Sequence, residues 1–198
     1  MIFVIKLNDN RYGLSSKNID EYKNTILLHN YFDYNNIHIT DFDYVPTFGI
    51  EESDWFDDLH WTDDFYIKWT IWIVNKIKQL LEHNNIITNE NNKILIISDS
   101  TIDYNIEYSL INRKSTFYNE LIKNNIHNNI LAKGGGCFSN KNRYINFSNM
   151  IYREKIKNNK YLAIIVIGGI NDTFINNSKS IINGINKFSN ISNDIIIK

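Results

Sequence analysis

The stretch "KILIISDSTIDYN", residues 93–105, decides the fold. Five residues, Ile94 to Ser98, form an apolar run closed by a serine, and Asp99, Ser100 and Thr101 follow at once. A short continuous apolar run of this kind suits a strand buried on both faces of a parallel sheet. Serine and aspartate just after it have two uses. They satisfy backbone groups in a turn, or they hold a nucleophile at the carboxyl end of a central strand. Ser100 taken alone fits the turn better.

Working outward, the same pattern recurs. "MIFVIKL" (1–7) is expected to be a buried strand, and "NIHITDFDYV" (36–45) alternates as a strand does. "NNILAKGGG" (128–136) reads as a strand ending in three glycines. "KYLAIIVIGGIND" (160–172) is the most apolar strand, and "NDIIIK" (193–198) reads as a terminal one. Helices are expected between them. "SSKNIDEYKNTILLHNYF" (15–32) has Ser15 or Ser16 as a cap. Phe65, Trp69, Trp72, Ile73, Ile77, Leu80 and Leu81 make an apolar stripe at helical spacing. "STFYNELIKNN" (115–125) and "SKSIINGINKFSN" (178–190) complete the set. Alternating strands and helices imply an α/β three-layer sandwich with a mostly parallel, flavodoxin-like sheet. The 198 residues suit one domain, with neither an internal repeat nor a linker to divide it.

Bulk composition excludes several classes. The chain carries 21 basic and 22 acidic residues, a net charge of -1, so no positive excess points to nucleic acid or an anionic membrane. A single cysteine, Cys137, forms no internal disulfide. No apolar run approaches the roughly 18 residues of a membrane span. The first residues lack the basic region and cleavage site of a signal peptide. The expectation is a cytoplasmic protein with no membrane, nucleic acid, cofactor or metal.

In a parallel sheet, sites gather past the carboxyl ends of the strands. Four loops therefore matter. The first is Ser98–Asn105. The second is Gly134 to Gly136, where three glycines permit close backbone approach without the lysine signature of a phosphate loop. The third is Gly168 to Asp172, where the Asn171 amide is able to face a cleft and Asp172 reads as a cap or turn group. The fourth is "ESDWFDDLHWTDDFY" (52–66), where Asp57 stands three residues before His60. An Asp-x-x-His pair sets a carboxylate against an imidazole and fixes its tautomer. Each feature alone has a plainer reading as a turn or a solvated loop.

Together the four resemble the SGNH (GDSL-type) hydrolase family. "SDST" (98–101) stands for its first block, with Ser98 in place of glycine. "GGGC" stands for the second, "GIND" (169–172) for the third, and "DDLH" (57–60) for its Asp-x-x-His block. In the family that last block closes the sequence, whereas here it comes first. The resemblance therefore implies a circular permutation. Residues 1–92 correspond to the family's carboxyl-terminal part, residues 93–198 to its amino-terminal part, and "NNIITNENN" (84–92) is the joining loop.

The resemblance implies Ser100 as nucleophile, His60 as general base and Asp57 as the group that orients it. Asp58 competes with Asp57. The oxyanion donors implied are the Ser100 N–H, the N–H of Gly136 (or Gly135) and the Asn171 amide. The implied reaction is hydrolysis of an ester, small acetyl-like groups on a carbohydrate being the first choice. Trp55, Phe56 and Trp61 flank His60 and either stack on substrate or pack the loop onto the body. Two other classes fit parts of the sequence. Asp41, Asp43, Asp54, Asp57, Asp58, Asp63 and Asp64 with His60 suit a metal-dependent phosphoesterase. An inactive glycan-binding module is the other.

Overall fold

The computed structural model describes residues 1–6, 37–43, 48, 52–54, 61–104, 110–139, 145–168, 170–173 and 178–197. The helix expected over 15–32 lies outside them. Five strands form one sheet: β1 (Ile2–Lys6), β2 (Ile37–Asp43), β3 (Ile94–Ser98), β4 (Asn128–Ala132) and β7 (Ile164–Ile167). Their spatial order is β2-β1-β7-β3-β4, and every neighbouring pair is parallel. Two short strands, β5 (Gly136–Cys137) and β6 (Ile145–Asn146), pair separately.

Among the described residues four helices longer than a single turn accompany the sheet: α1 (Asp63–His83), α2 (Arg113–Lys123), α3 (Phe147–Ile156) and α4 (Ser178–Ile195). They pack as two pairs, α1 with α2 and α3 with α4. Chain handedness explains the pairing. The step β3–α2–β4 crosses the sheet in one direction, and β4–α3–β7 crosses back in the other. Right-handed crossovers therefore set α2 and α3 on opposite faces. The arrangement fits a three-layer α/β/α sandwich. It also explains why β3 and β7 are apolar throughout and buried at every position.

α1 begins where Thr62 caps it, its hydroxyl accepting the Phe65 N–H at 3.4 Å. Asp63 and Asp64 sit in its first turn, which suits the positive end of the helix dipole. Its buried face holds Phe65, Tyr66, Trp69, Ile73, Val74, Ile77 and Leu81. Among the described residues no helix is long and apolar enough to cross a membrane.

Three sequence expectations are corrected. Residues 193–197 do not form a strand. α4 runs on to Ile195, and Ile196 makes only an isolated bridge to Tyr161. The helical stripe Ile181, Ile185, Phe188 continues through Ile191 to Ile195, all buried, so packing keeps the segment helical. The strand over 128–136 stops at Ala132. The Lys133 carbonyl then accepts the Gly136 N–H in a turn, and the glycines lie in and after it. The strand over 160–172 shrinks to Ile164–Ile167, and Ile170–Thr173 forms a single helical turn. α3 was not expected at all.

Candidate active site

Chain order reverses between β3 and β7: the chain leaves β3 for β4 on one side, while β7 lies on the other. The crevice at such a switch point is where ligands bind in sheets of this kind. Both strands deliver their loops to it.

β3 ends at Ser98, paired with Ala132 on one side and Ile167 on the other. Asp99 is fully buried. Its Oδ1 accepts the Thr101 N–H at 2.9 Å and the Thr101 hydroxyl at 2.6 Å. Its carbonyl accepts the N–H groups of Ile102 and Asp103. Asp99 therefore builds the turn that carries Ser100. Its carboxylate also presses on the end of β7. A Cβ on Gly168, whose φ is +141°, would lie 2.7 Å from Asp99 Oδ2. Only glycine suits both that φ and that contact.

Ser100 is half-buried, and its hydroxyl makes no hydrogen bond to any described residue. The glycine loop arrives from β4 beside it. The Asp103 carboxylate accepts the Gly134 N–H at 3.3 Å, and the Asp99 Cα lies against Gly136. Asn171 comes from the helical turn after β7 and donates from Nδ2 to the Gly136 carbonyl at 2.9 Å. Ser100, Gly136 and Asn171 thus come from three strand ends to one region. The Gly136 N–H, however, is committed to Lys133, whereas the Gly135 N–H has no partner among the described residues. His60, Asp57 and Asp58 lie outside the described residues, as do Trp55 and Phe56.

Trp61 is 3 % exposed and packs against Phe65 and Trp69, each at 5.2 Å between ring centroids. It packs its segment onto the body rather than facing a ligand. Arg113, first residue of α2, fastens the same segment. Its guanidinium donates to the Trp61 carbonyl, faces Asp63 at 3.9 Å, and lies over the rings of Tyr66 and Tyr104 at 4.8 and 5.4 Å. Asp63 also accepts the Leu110 N–H at 2.9 Å. Among the described residues no three His, Cys, Asp or Glu side chains group as metal ligands.

Sequence reading missed the reach of Asp172. It is 1 % exposed and accepts the N–H groups of Phe138 and Ser139 at 2.9 and 3.0 Å, bridging the glycine loop to the Asn171 turn. Burial pushes its carboxyl up to about 7, against the pull of those two donors, and the nearby Asp99 carboxylate adds to the rise. The folded chain then holds a proton between about pH 4 and pH 7 that the unfolded chain releases. Stability from this group is full below pH 4 and falls as pH rises through 7. The expected slope is on the order of 1 kcal/mol per pH unit. Urea midpoints at pH 5 and pH 8 should show the decline, and Asp172→Asn should flatten it; an equal slope in the variant would refute the assignment. Burial, with help from the Asp172 and Asp99 carboxylates, also pushes the Cys137 thiol up to about 12, so it is no thiolate nucleophile near neutrality.

Ser98, the last residue of β3, is fully buried, and its hydroxyl has no hydrogen-bond partner among the described residues. An unpaired buried hydroxyl costs about 1–3 kcal/mol. Ser98→Ala should therefore raise stability by about 1 kcal/mol. A lowered urea midpoint would show that Ser98 is bonded after all.

The chain matches no protein-family model, no curated protein and no solved structure.

Proposed function

We propose that this chain is a serine ester hydrolase of SGNH type with permuted block order. One observation carries the reading. The Ser100 turn, the glycine loop and the Asn171 amide converge at the switch point of the sheet, with Asn171 bonded to Gly136 at 2.9 Å. The strand order adds support. Counted from β3 and continued through β7 into β1, the order β4-β3-β7-β1-β2 becomes 2-1-3-4-5, the flavodoxin-like order. The join such counting requires is short in space. Ile197 donates to the Tyr161 carbonyl and Ile164 donates to the Met1 carbonyl, so both segments flank the start of β7.

In this reading His60, oriented by Asp57, takes the proton of Ser100 as its Oγ attacks the acyl carbon. The tetrahedral oxyanion is met by the Ser100 N–H and by the Asn171 amide hydrogen not given to Gly136. With the Gly136 N–H held by Lys133, Gly135 is the backbone donor on the glycine loop in this conformation. Collapse expels the alkoxide, His60 returns the proton to it, and water then releases the acyl group from Ser100. Small acyl esters, acetyl groups on sugars among them, are the proposed substrates. The test is release of p-nitrophenol from p-nitrophenyl acetate with and without chelator. Turnover that survives chelator supports the serine mechanism; turnover abolished by chelator and restored by a divalent cation would replace it with a metal-dependent one.

A further inference from the structure

We infer a binding site for an amphiphilic anion beside the glycine loop. A cavity of about 300 Å³ opens along β4, the edge strand of the sheet. That volume is at the lower end of small-molecule pockets. Leu131, Ile145 and Met150 supply apolar walls. Lys114 from α2, Lys133 after β4 and Arg153 from α3 supply three cations, one from each surrounding segment. A fourth, Lys187 of α4, reaches the rim by donating to the side-chain oxygen of Asn149 at 3.3 Å.

The side chains of Lys114, Lys133 and Arg153 have no partner among the described residues. Carboxylates on the same elements are engaged elsewhere. Glu120 holds Lys123 and Asn124, and Glu154 holds Lys157, Asn159 and Tyr161. No described carboxylate lines the cavity. Convergent cations over an apolar floor fit a carboxylate, sulfate or phosphate head carried on a short hydrocarbon body. The position ties this site to the crevice. Lys133 donates its N–H to Ser98 and accepts the Gly136 N–H, so it sits between β3 and the glycine turn. Resting on the esterase reading, the inference narrows the substrate class to esters bearing a negative charge.

Binding is measured apart from turnover. Octanoate below its micelle concentration, octanamide and acetate are titrated calorimetrically into the native protein and into Lys133→Gln/Arg153→Gln. Both substituted residues are exposed, and an unchanged urea midpoint checks the variant's fold. The native protein should bind octanoate on the order of tenfold more tightly than either octanamide or acetate, and the double variant should lose about that factor. Equal binding of octanamide, equal binding of acetate, an unaffected double variant, or no octanoate binding would each overturn the site. Turnover forms the second arm: mono-p-nitrophenyl glutarate should exceed p-nitrophenyl butyrate in kcat/KM, and the double variant should erase the preference. Octanoate binding without hydrolysis of either ester would leave the site standing and overturn the esterase reading. Hydrolysis without that preference would overturn the narrowed substrate class alone.

Discussion

Replacing Ser100 by alanine is expected to lower kcat for ester hydrolysis by on the order of 10⁴- to 10⁶-fold while leaving the fold intact. The hydroxyl makes no hydrogen bond to any described residue, so its removal breaks no contact of the turn. The turn is held by Asp99 through the Thr101 N–H and hydroxyl instead. Activity should vanish without a shift in the urea midpoint. Residual binding of substrate is expected, because the oxyanion donors and the cavity remain. A variant retaining more than about a tenth of native kcat would exclude Ser100 as the nucleophile.

The second large effect is on stability. Arg113→Ala should cost on the order of 3 kcal/mol. Arg113 is 2 % exposed, and one guanidinium joins the Trp61 carbonyl, the Asp63 carboxylate and two aromatic faces. Truncation removes the cation and leaves a buried carbonyl without that donor. Arg113→Lys should recover only part of the loss, since an ammonium reproduces neither the planar stacking nor the forked donation. The urea midpoint reads this directly; an unchanged midpoint would mean that the rings and α1 hold the segment without Arg113. The prediction bears on function, because Trp61 follows His60 in the chain.

Much of the scaffold was legible because burial on two faces writes itself into sequence. β1, β3 and β7 are apolar at position after position, and α1 displays its stripe through five turns. α3 escaped because two of its four buried positions, Ser148 and Glu154, are polar. Phe147, Ile151 and Glu154 lie on the inner side, and Glu154 is tolerated there by Tyr161, Asn159 and Lys157. No apolar periodicity marks such a helix. The last residues misled for the opposite reason. Ile195 to Ile197 are β-branched and adjacent, so they resemble a strand, while the spacing from Ile181 that keeps the chain helical as far as Ile195 is set by packing.

At the candidate site, sequence reading supplied residue types and strand ends but not long-range bonds. Asn171 was read as facing a cleft, and its bond to Gly136 spans 35 positions. Asp172 was read as a local cap, yet it serves a loop more than 30 positions away. The Gly136 N–H is bonded to the Lys133 carbonyl, a local backbone bond that spacing does not reveal.

The most direct test of the account is labelling by a fluorophosphonate probe, applied to the native protein, Ser100→Ala and His60→Ala. Only an activated serine reacts with such a reagent at a useful rate. The account predicts that the native protein is labelled stoichiometrically on Ser100 and that both variants lose the label. A folded native protein that stays unlabelled, or one labelled equally in His60→Ala, would contradict it.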